Sequence, residues 1–144
     1  MSASAVLQAQ TGQPFTVTMS TDPSGTSTTA RPDRIHNGAL PAGQRDPTHW
    51  FDLTAFSAPA CACFGNSDRN ILRAPGSINL DFGMAREFVV RERWRLQFRA
   101  ESFNLLNHFN WGDPVVNFNS STFGKITTQA NFPRVIQLGV RFSF

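Results

Sequence analysis

The segment Ile136-Gln137-Leu138-Gly139-Val140-Arg141-Phe142-Ser143-Phe144 alternates apolar and polar residues without a break and finishes on an aromatic. Side chains on a strand point to opposite faces with period two. Ile136, Leu138, Val140, Phe142 and Phe144 therefore form one apolar face, and Gln137, Arg141 and Ser143 a polar one. A half-buried strand of a soluble domain alternates in the same way but seldom ends a chain on an aromatic with no polar tail. A bilayer-crossing strand, apolar toward lipid and polar toward a lumen, accounts for both features.

The other constraints are compatible with that reading. A length of 144 residues leaves room for one domain with a sizeable core. No apolar run reaches the roughly 18 residues that a transmembrane helix needs. The mean hydropathy of −0.25 does not exclude a barrel, whose strands are only half apolar. Tyrosine is absent while phenylalanine reaches 14, and Lys125 is the only lysine among 13 basic residues. The formal charge of +3 is modest. Cys61 and Cys63, the only cysteines, are too few for a disulfide framework, and as a C-x-C pair they favour an inert or locally oxidised state over a metal site. Met1-Ser2-Ala3-Ser4-Ala5-Val6-Leu7 lacks the charged and apolar regions of a signal peptide, so Met1 is expected not to be a natural start and the chain to be a fragment.

Four strands are expected. Residues 1–19 alternate weakly as far as Thr11-Gly12-Gln13-Pro14 and resume at Phe15-Thr16-Val17. Residues 20–76 are rich in Ser, Thr, Pro, Gly and Asp with no sustained period, which suits a long functional or surface loop. A hairpin fills 77–107: Ile78, Leu80, Phe82 and Met84 share a face opposite Asn79 and Asp81, and Trp94, Leu96, Phe98 and Ala100 face away from Arg95, Gln97, Arg99 and Glu101. The charged break at 90–93 reads as its turn. A second loop covers 108–132, and the terminal strand covers 133–144. Connections that run long, short, long place 20–76 and 108–132 outside the cell and the turn in the periplasm, with Phe88, Trp94, Phe142 and Phe144 near one interface and Phe109 and Trp111 near the other. Four strands cannot close a barrel, and two open edges are intolerable in lipid, so the missing strands must come from elsewhere.

Several ordered motifs carry a resemblance across nearly the whole of residues 1–144. They are Thr11-Gly12-Gln13-Pro14-Phe15, Arg31-Pro32-Asp33, the run from Gly65 to Gly76, Asn79-Leu80-Asp81, the run from Arg95 to His108, Phe123-Gly124-Lys125-Ile126 and Pro133-Arg134-Val135-Ile136-Gln137. This pattern resembles the C-terminal end of Oar-like TonB-dependent outer-membrane receptors, which carry a carboxypeptidase-regulatory-like domain. The resemblance implies a barrel of roughly 22 strands around a plug, energised through TonB to import large or scarce solutes. The segment lacks the signal peptide, the N-terminal domain, the TonB box and the plug of that pattern, so TonB is expected to act only through the missing N-terminal part.

Candidate chemistry is sparse. His36, His49 and His108 lack ligand spacing and read as solvated loop histidines rather than metal ligands. No nucleophile triad or phosphate loop has the context it needs, so neither an enzyme nor a cofactor is expected. The arginines Arg86, Arg91, Arg93, Arg95 and Arg99 interleave with Trp94 and Phe98, but on a strand Arg95 and Arg99 point away from those rings, which argues against nucleic acid. The favoured reading is a set of lumenal charge pairs drawn from Asp81, Arg95, Arg99, Glu101 and Arg141, with Glu87 as a further acid, bracing the wall where a plug rests. Ile136, Leu138, Val140, Phe142 and Phe144 resemble the signal read by the barrel assembly machinery through edge pairing. Trp50, Phe51, Phe56 and Phe64 in the long loop either contact a solute or surface partner or pack on themselves, with self-packing favoured.

The expected fold is therefore all-β: an antiparallel transmembrane β-barrel segment of about four strands with long extracellular loops, incomplete as a barrel. The expected role is solute uptake in the bacterial outer membrane, in contact with lipid, the assembly machinery, and the rest of the barrel and its plug. A non-transporting surface or adhesion protein that displays the long loop is the alternative. A soluble β-sandwich would instead place polar residues among Ile78, Leu80, Phe82, Leu96, Phe98, Leu138 and Val140.

Overall fold

The computed structural model describes residues 1–91 and 94–144. In chain order its strands are β1 (Ser2–Gln10), β2 (Pro14–Phe15), β3 (Asp33–Arg34), β4 (Phe56–Ser57), β5 (Leu72–Arg73), β6 (Ser77–Arg91), β7 (Trp94–Phe103) and β8 (Val135–Ser143). Short 3-10 turns occupy Ala42–Gln44 and Leu53–Ala55. The chain divides into two compact units. A sheet unit comprises Met1–Gln10, Ser77–Asn110 and Asn131–Phe144, and a loop unit comprises Thr11–Gly76 and Trp111–Ala130.

The sheet unit is one open antiparallel sheet in the order β1-β6-β7-β8. Its register turns the sequence alternation into rows four residues wide. Ala3, Met84, Ala100 and Leu138 lie side by side, as do Ala5, Phe82, Ser102 and Ile136. The intervening rows, Ser4-Gly83-Glu101-Gln137 and Ser2-Ala85-Arg99-Gly139, occupy the other face. A slip of one residue in any strand would exchange its two faces, so the apolar rows pin the register. That apolar face is bare: Leu138 is 76 % exposed and Ile136 63 %.

Among the described residues, every buried hydrophobic side chain belongs to the loop unit. Val17, Phe51, Ala55, Phe56, Leu72 and Phe123 form its core, with Phe15, Trp50, Leu53, Ile71 and Phe118 packed against them. Phe51 stands at the centre, its ring centroid 5.1 Å from Phe123 and 5.9 Å from Phe56 in edge-to-face contacts. A soluble sandwich would show the reverse distribution, with a buried sheet face and solvated loops.

Three expectations change. The strand foreseen over 1–19 ends at Gln10, because β2 pairs with β5 inside the loop unit. Gly12 permits that departure: a Cβ there would fall 1.6 Å from the Ala74 carbonyl oxygen. Residues 20–76 keep the self-packing favoured for their aromatics: with 111–130 they fold around a core that holds Phe51 and Phe56, with Trp50 packed against it. The break foreseen at 90–93 starts later, since β6 continues through Arg91, while Glu92 and Arg93 lie outside the described residues. The terminal strand begins at Val135, just past Pro133, which has no N–H to give a ladder.

Candidate functional site

The polar face of the sheet carries the charged groups. Arg99 donates from Nε to Glu101 Oε1 at 2.9 Å, and its Nη2 pairs with the same oxygen. Small residues neighbour that pair. The nearest atom that a Cβ on Gly139 would meet is Arg99 Cβ at 3.9 Å, and Gly83 sits beside Ser4 and Glu101. Ser2, Ser4, Gly83, Ala85, Gln97, Arg99 and Glu101 thus bound a trough of about 310 Å³. Arg95 pairs with Glu87 at 3.4 Å. Arg141 lies opposite Gln97, and among the described residues no acid comes within ion-pair distance of it.

Asp81 shares the polar face but takes a different partner from the arginine foreseen. Its Oδ1 accepts from Asn79 Nδ2 and from the Asn104 N–H, both at 2.9 Å. It thereby joins an asparagine clasp at the end of the sheet opposite the β6–β7 hairpin. Asn110, 3 % exposed, accepts from the Ile78 N–H and donates to the Ile78 carbonyl, each at 2.9 Å. Its amide therefore gives Ile78 the two bonds that a neighbouring strand would give. Asn104 adopts φ +52°, donates to the carbonyls of His108 and Phe132 at 3.1 Å, and accepts from the His108 N–H. Asn107 accepts from the Arg134 N–H at 3.0 Å, and Asn131 donates to the His108 carbonyl at 2.8 Å. The asparagines satisfy backbone groups where the ladder stops.

Arg86 corrects the arginine cluster. The register sets it opposite Phe98 on the apolar face, with its guanidinium 4.7 Å from the Phe88 ring centroid. It is therefore an arginine stacked on an aromatic rather than a lumenal charge. Around it, Phe88 contacts Phe98 at 5.9 Å, Trp94 contacts Phe142 at 5.9 Å and Phe142 contacts Phe144 at 6.1 Å, which concentrates rings at the hairpin end.

A family model described as an outer membrane beta barrel domain matches residues 2–137. The chain belongs to that family. Comparison with curated proteins and with solved structures returned no match.

Membership gives both faces a meaning. The bare apolar rows are the lipid side of an outer-membrane barrel wall, and the protein resides in the bacterial outer membrane. At about 3.3 Å per residue and a tilt near 40°, the apolar rows from Ile78 to Phe88 span about 25 Å, the height of the apolar band of such barrels. Among the described residues no helix is long and apolar enough to cross a membrane, which says nothing about strands. Of the residues expected to form an assembly signal, Ile136, Leu138, Val140 and Phe142 stand on the lipid face of β8, and Phe144 follows them.

In the barrel's loop unit the histidines are exposed but engaged. His36 Nε2 lies 3.0 Å from Asp52 Oδ2, and the N–H of His49 donates to Asp46 Oδ1 at 2.9 Å. His108, in the sheet unit, contacts Asn110 Oδ1 at 3.1 Å. Three aspartates nucleate turns by accepting from nearby N–H and O–H groups. Asp52 is held below the usual carboxylate range chiefly by His36, Asp46 by Thr48 and Asp22 by Ser24. Cys61 and Cys63 form a disulfide. Among the described residues no group of three or more His, Cys, Asp or Glu side chains could hold a metal ion.

Proposed function

We propose that the chain is a wall-and-loop portion of an Oar-like TonB-dependent receptor that imports solutes across the outer membrane. The observation that carries this reading is the trough on the polar face. Ser2, Ser4, Gly83 and Ala85 leave a hollow beside an ion pair, which suits a wall against which a folded plug packs better than one facing an open aqueous pore. Two further features support it. The sheet has two open edges, which lipid tolerates only when further strands pair with them. Motifs matching those receptors also fall on structural joints, the asparagine clasp foremost among them. In this reading the assembly machinery captures β8 by its free edge, with Ile136, Leu138, Val140, Phe142 and Phe144 as the recognised residues. TonB acts only through the plug-bearing part, and the chain performs no catalysis.

The test places a photo-activated crosslinking residue at Ala85 in the full-length receptor in cells. Crosslinks to the receptor's own N-terminal plug are expected, together with uptake that stops when TonB is removed. Arg99→Glu should weaken plug retention in the same cells. Normal assembly with no plug crosslink and no TonB dependence would reject the reading. The alternative is a display protein that transports nothing. One observation favours it: the loop unit has its own aromatic core and can present a fixed outer surface.

A further inference from the structure

The loop unit contains a hollow of about 410 Å³ that the wall reading leaves unused, lined by Thr28, Thr29, Arg31, Phe64, Gly65 and Arg69. Two segments zip together to build it. The Ser67 N–H donates to the Pro32 carbonyl at 3.1 Å, the Asn66 N–H to Asp33 Oδ1 at 2.9 Å, and the Arg34 N–H to Asn66 Oδ1 at 2.6 Å. Arg31 precedes one side of this zipper and Arg69 follows the other, so both line one space. Gly65 is needed at the joint, because a Cβ there would fall 2.1 Å from the Arg31 carbonyl oxygen. Just upstream, the Cys61–Cys63 bond closes a tight loop with Cα atoms 5.2 Å apart. Phe64 follows directly and stays 63 % exposed.

The charge balance of the hollow points to a ligand. Asp33 is engaged by Asn66, and Asp22 by Ser24 and Ser27. Asp68 is exposed beside Arg69, yet among the described residues neither Arg31 nor Arg69 has a carboxylate within 4.0 Å. Arg31 and Arg69 both line the hollow, and an anion bound there would draw their guanidinium groups into charge-assisted hydrogen bonds, for which the planar arginine fork is well shaped. An exposed phenyl ring on the same hollow offers an apolar contact.

We propose that this hollow binds a small organic anion, a carboxylate on an apolar or aromatic body, with the carboxylate between Arg31 and Arg69 and the body against Phe64. Describing the occupant as a captured solute rests on the uptake reading; binding itself does not. The test is an NMR titration of the whole chain with benzoate, acetate, benzyl alcohol and inorganic phosphate. Benzoate should bind best, and binding should weaken as sodium chloride is raised. Arg31→Gln and Arg69→Gln should each weaken benzoate binding tenfold or more, as expected for a lost bond to a charged group. Phe64→Ser should bring benzoate down to the level of acetate. Arg31→Lys, which keeps the charge and loses the fork, should fall between Arg31→Gln and the native chain. Unchanged near-ultraviolet circular dichroism shows that the core around Phe51 is intact in each variant. Benzoate that fails to bind, or that binds the Arg31→Gln/Arg69→Gln double variant equally well, overturns the site. Benzyl alcohol or phosphate binding as tightly as benzoate overturns the assigned ligand class. Binding that persists in a protein shown to work without TonB leaves the site standing and removes only the uptake reading.

Discussion

An arginine scan along β8 tests the two-faced wall directly. Leu138 sits in the row of Met84, six residues from Ile78 and four from Phe88. At about 3.3 Å per residue and 40° tilt, this puts it within about 3 Å of the middle of a 25 Å apolar band. Arginine on the lipid side at that depth costs about 2–4 kcal/mol. Phe142 lies in the row of Leu96, at the hairpin margin of the band, where the charge itself costs about 0–1 kcal/mol. Gln137 is at almost the depth of Leu138 but on the opposite face, where a surface substitution stays within about 0.5 kcal/mol. The measurement is guanidinium unfolding of the complete barrel protein that contains this chain, in phosphatidylcholine vesicles, followed by tryptophan emission. Leu138→Arg should lose the most, Val140→Arg less, the charge penalty should be smallest for Phe142→Arg, and Gln137→Arg should stay near the native value. Equal costs at positions 137 and 138, or a cost that does not decline toward the hairpin, would refute the assignment of lipid and lumen faces.

Three further outcomes follow from local geometry. Asn110→Ala leaves the Ile78 N–H and carbonyl without partners and should cost about 2–4 kcal/mol, read as faster amide hydrogen exchange at Ile78 than in the native chain. Gly124→Ala should destabilise the loop unit by about 1–3 kcal/mol, because Gly124 has φ +76° and the new Cβ would lie 2.3 Å from Leu53 Cδ2; limited proteolysis of that unit reports the loss. Asp22, Asp46 and Asp52 are all lowered from 3.8, so their contribution is fully present above that pH and is lost as pH falls through the folded values. Acid unfolding of the loop unit below pH 3.8 should therefore be shallower in the triple Asp→Asn variant than in the native chain.

What the sequence disclosed depended on whether a signal was periodic. β6, β7 and β8 alternate over many residues, and one buried or lipid-facing row suffices to fix their register. The same parity places Arg86 with Phe82 and Phe88, yet grouping it with its neighbours by charge hid the face it occupies. Parity also set Asp81 toward the lumen, while its partners Asn79 and Asn104 follow from where β7 leaves the sheet. The core of the loop unit gave no periodic sign, since Val17, Phe51, Leu72 and Phe123 are widely separated in sequence and meet only through backbone pairings such as Thr18 to Val116. The clasp left a partial trace, since the run from Arg95 to His108 that carries the resemblance contains Asn104 and Asn107, while Asn110 lies beyond it and is found only by its hydrogen bonds.

Those differences share one physical origin. In a soluble domain the sheet and its connections compete for the same core, whereas here the sheet finds its apolar partner in acyl chains and the connections must supply a core of their own. The aromatic cluster around Phe51 supplies it, and short Asx turns at Asp22, Asp46 and Asp52 hold the aperiodic chain in place around it. Between these two regimes the backbone has to stop pairing without leaving bare N–H and carbonyl groups at the border of the apolar band. A side-chain amide carries both a donor and an acceptor and can cap a strand on either count. That is why asparagines make up most of the clasp, with Asp81 serving in it as an acceptor only.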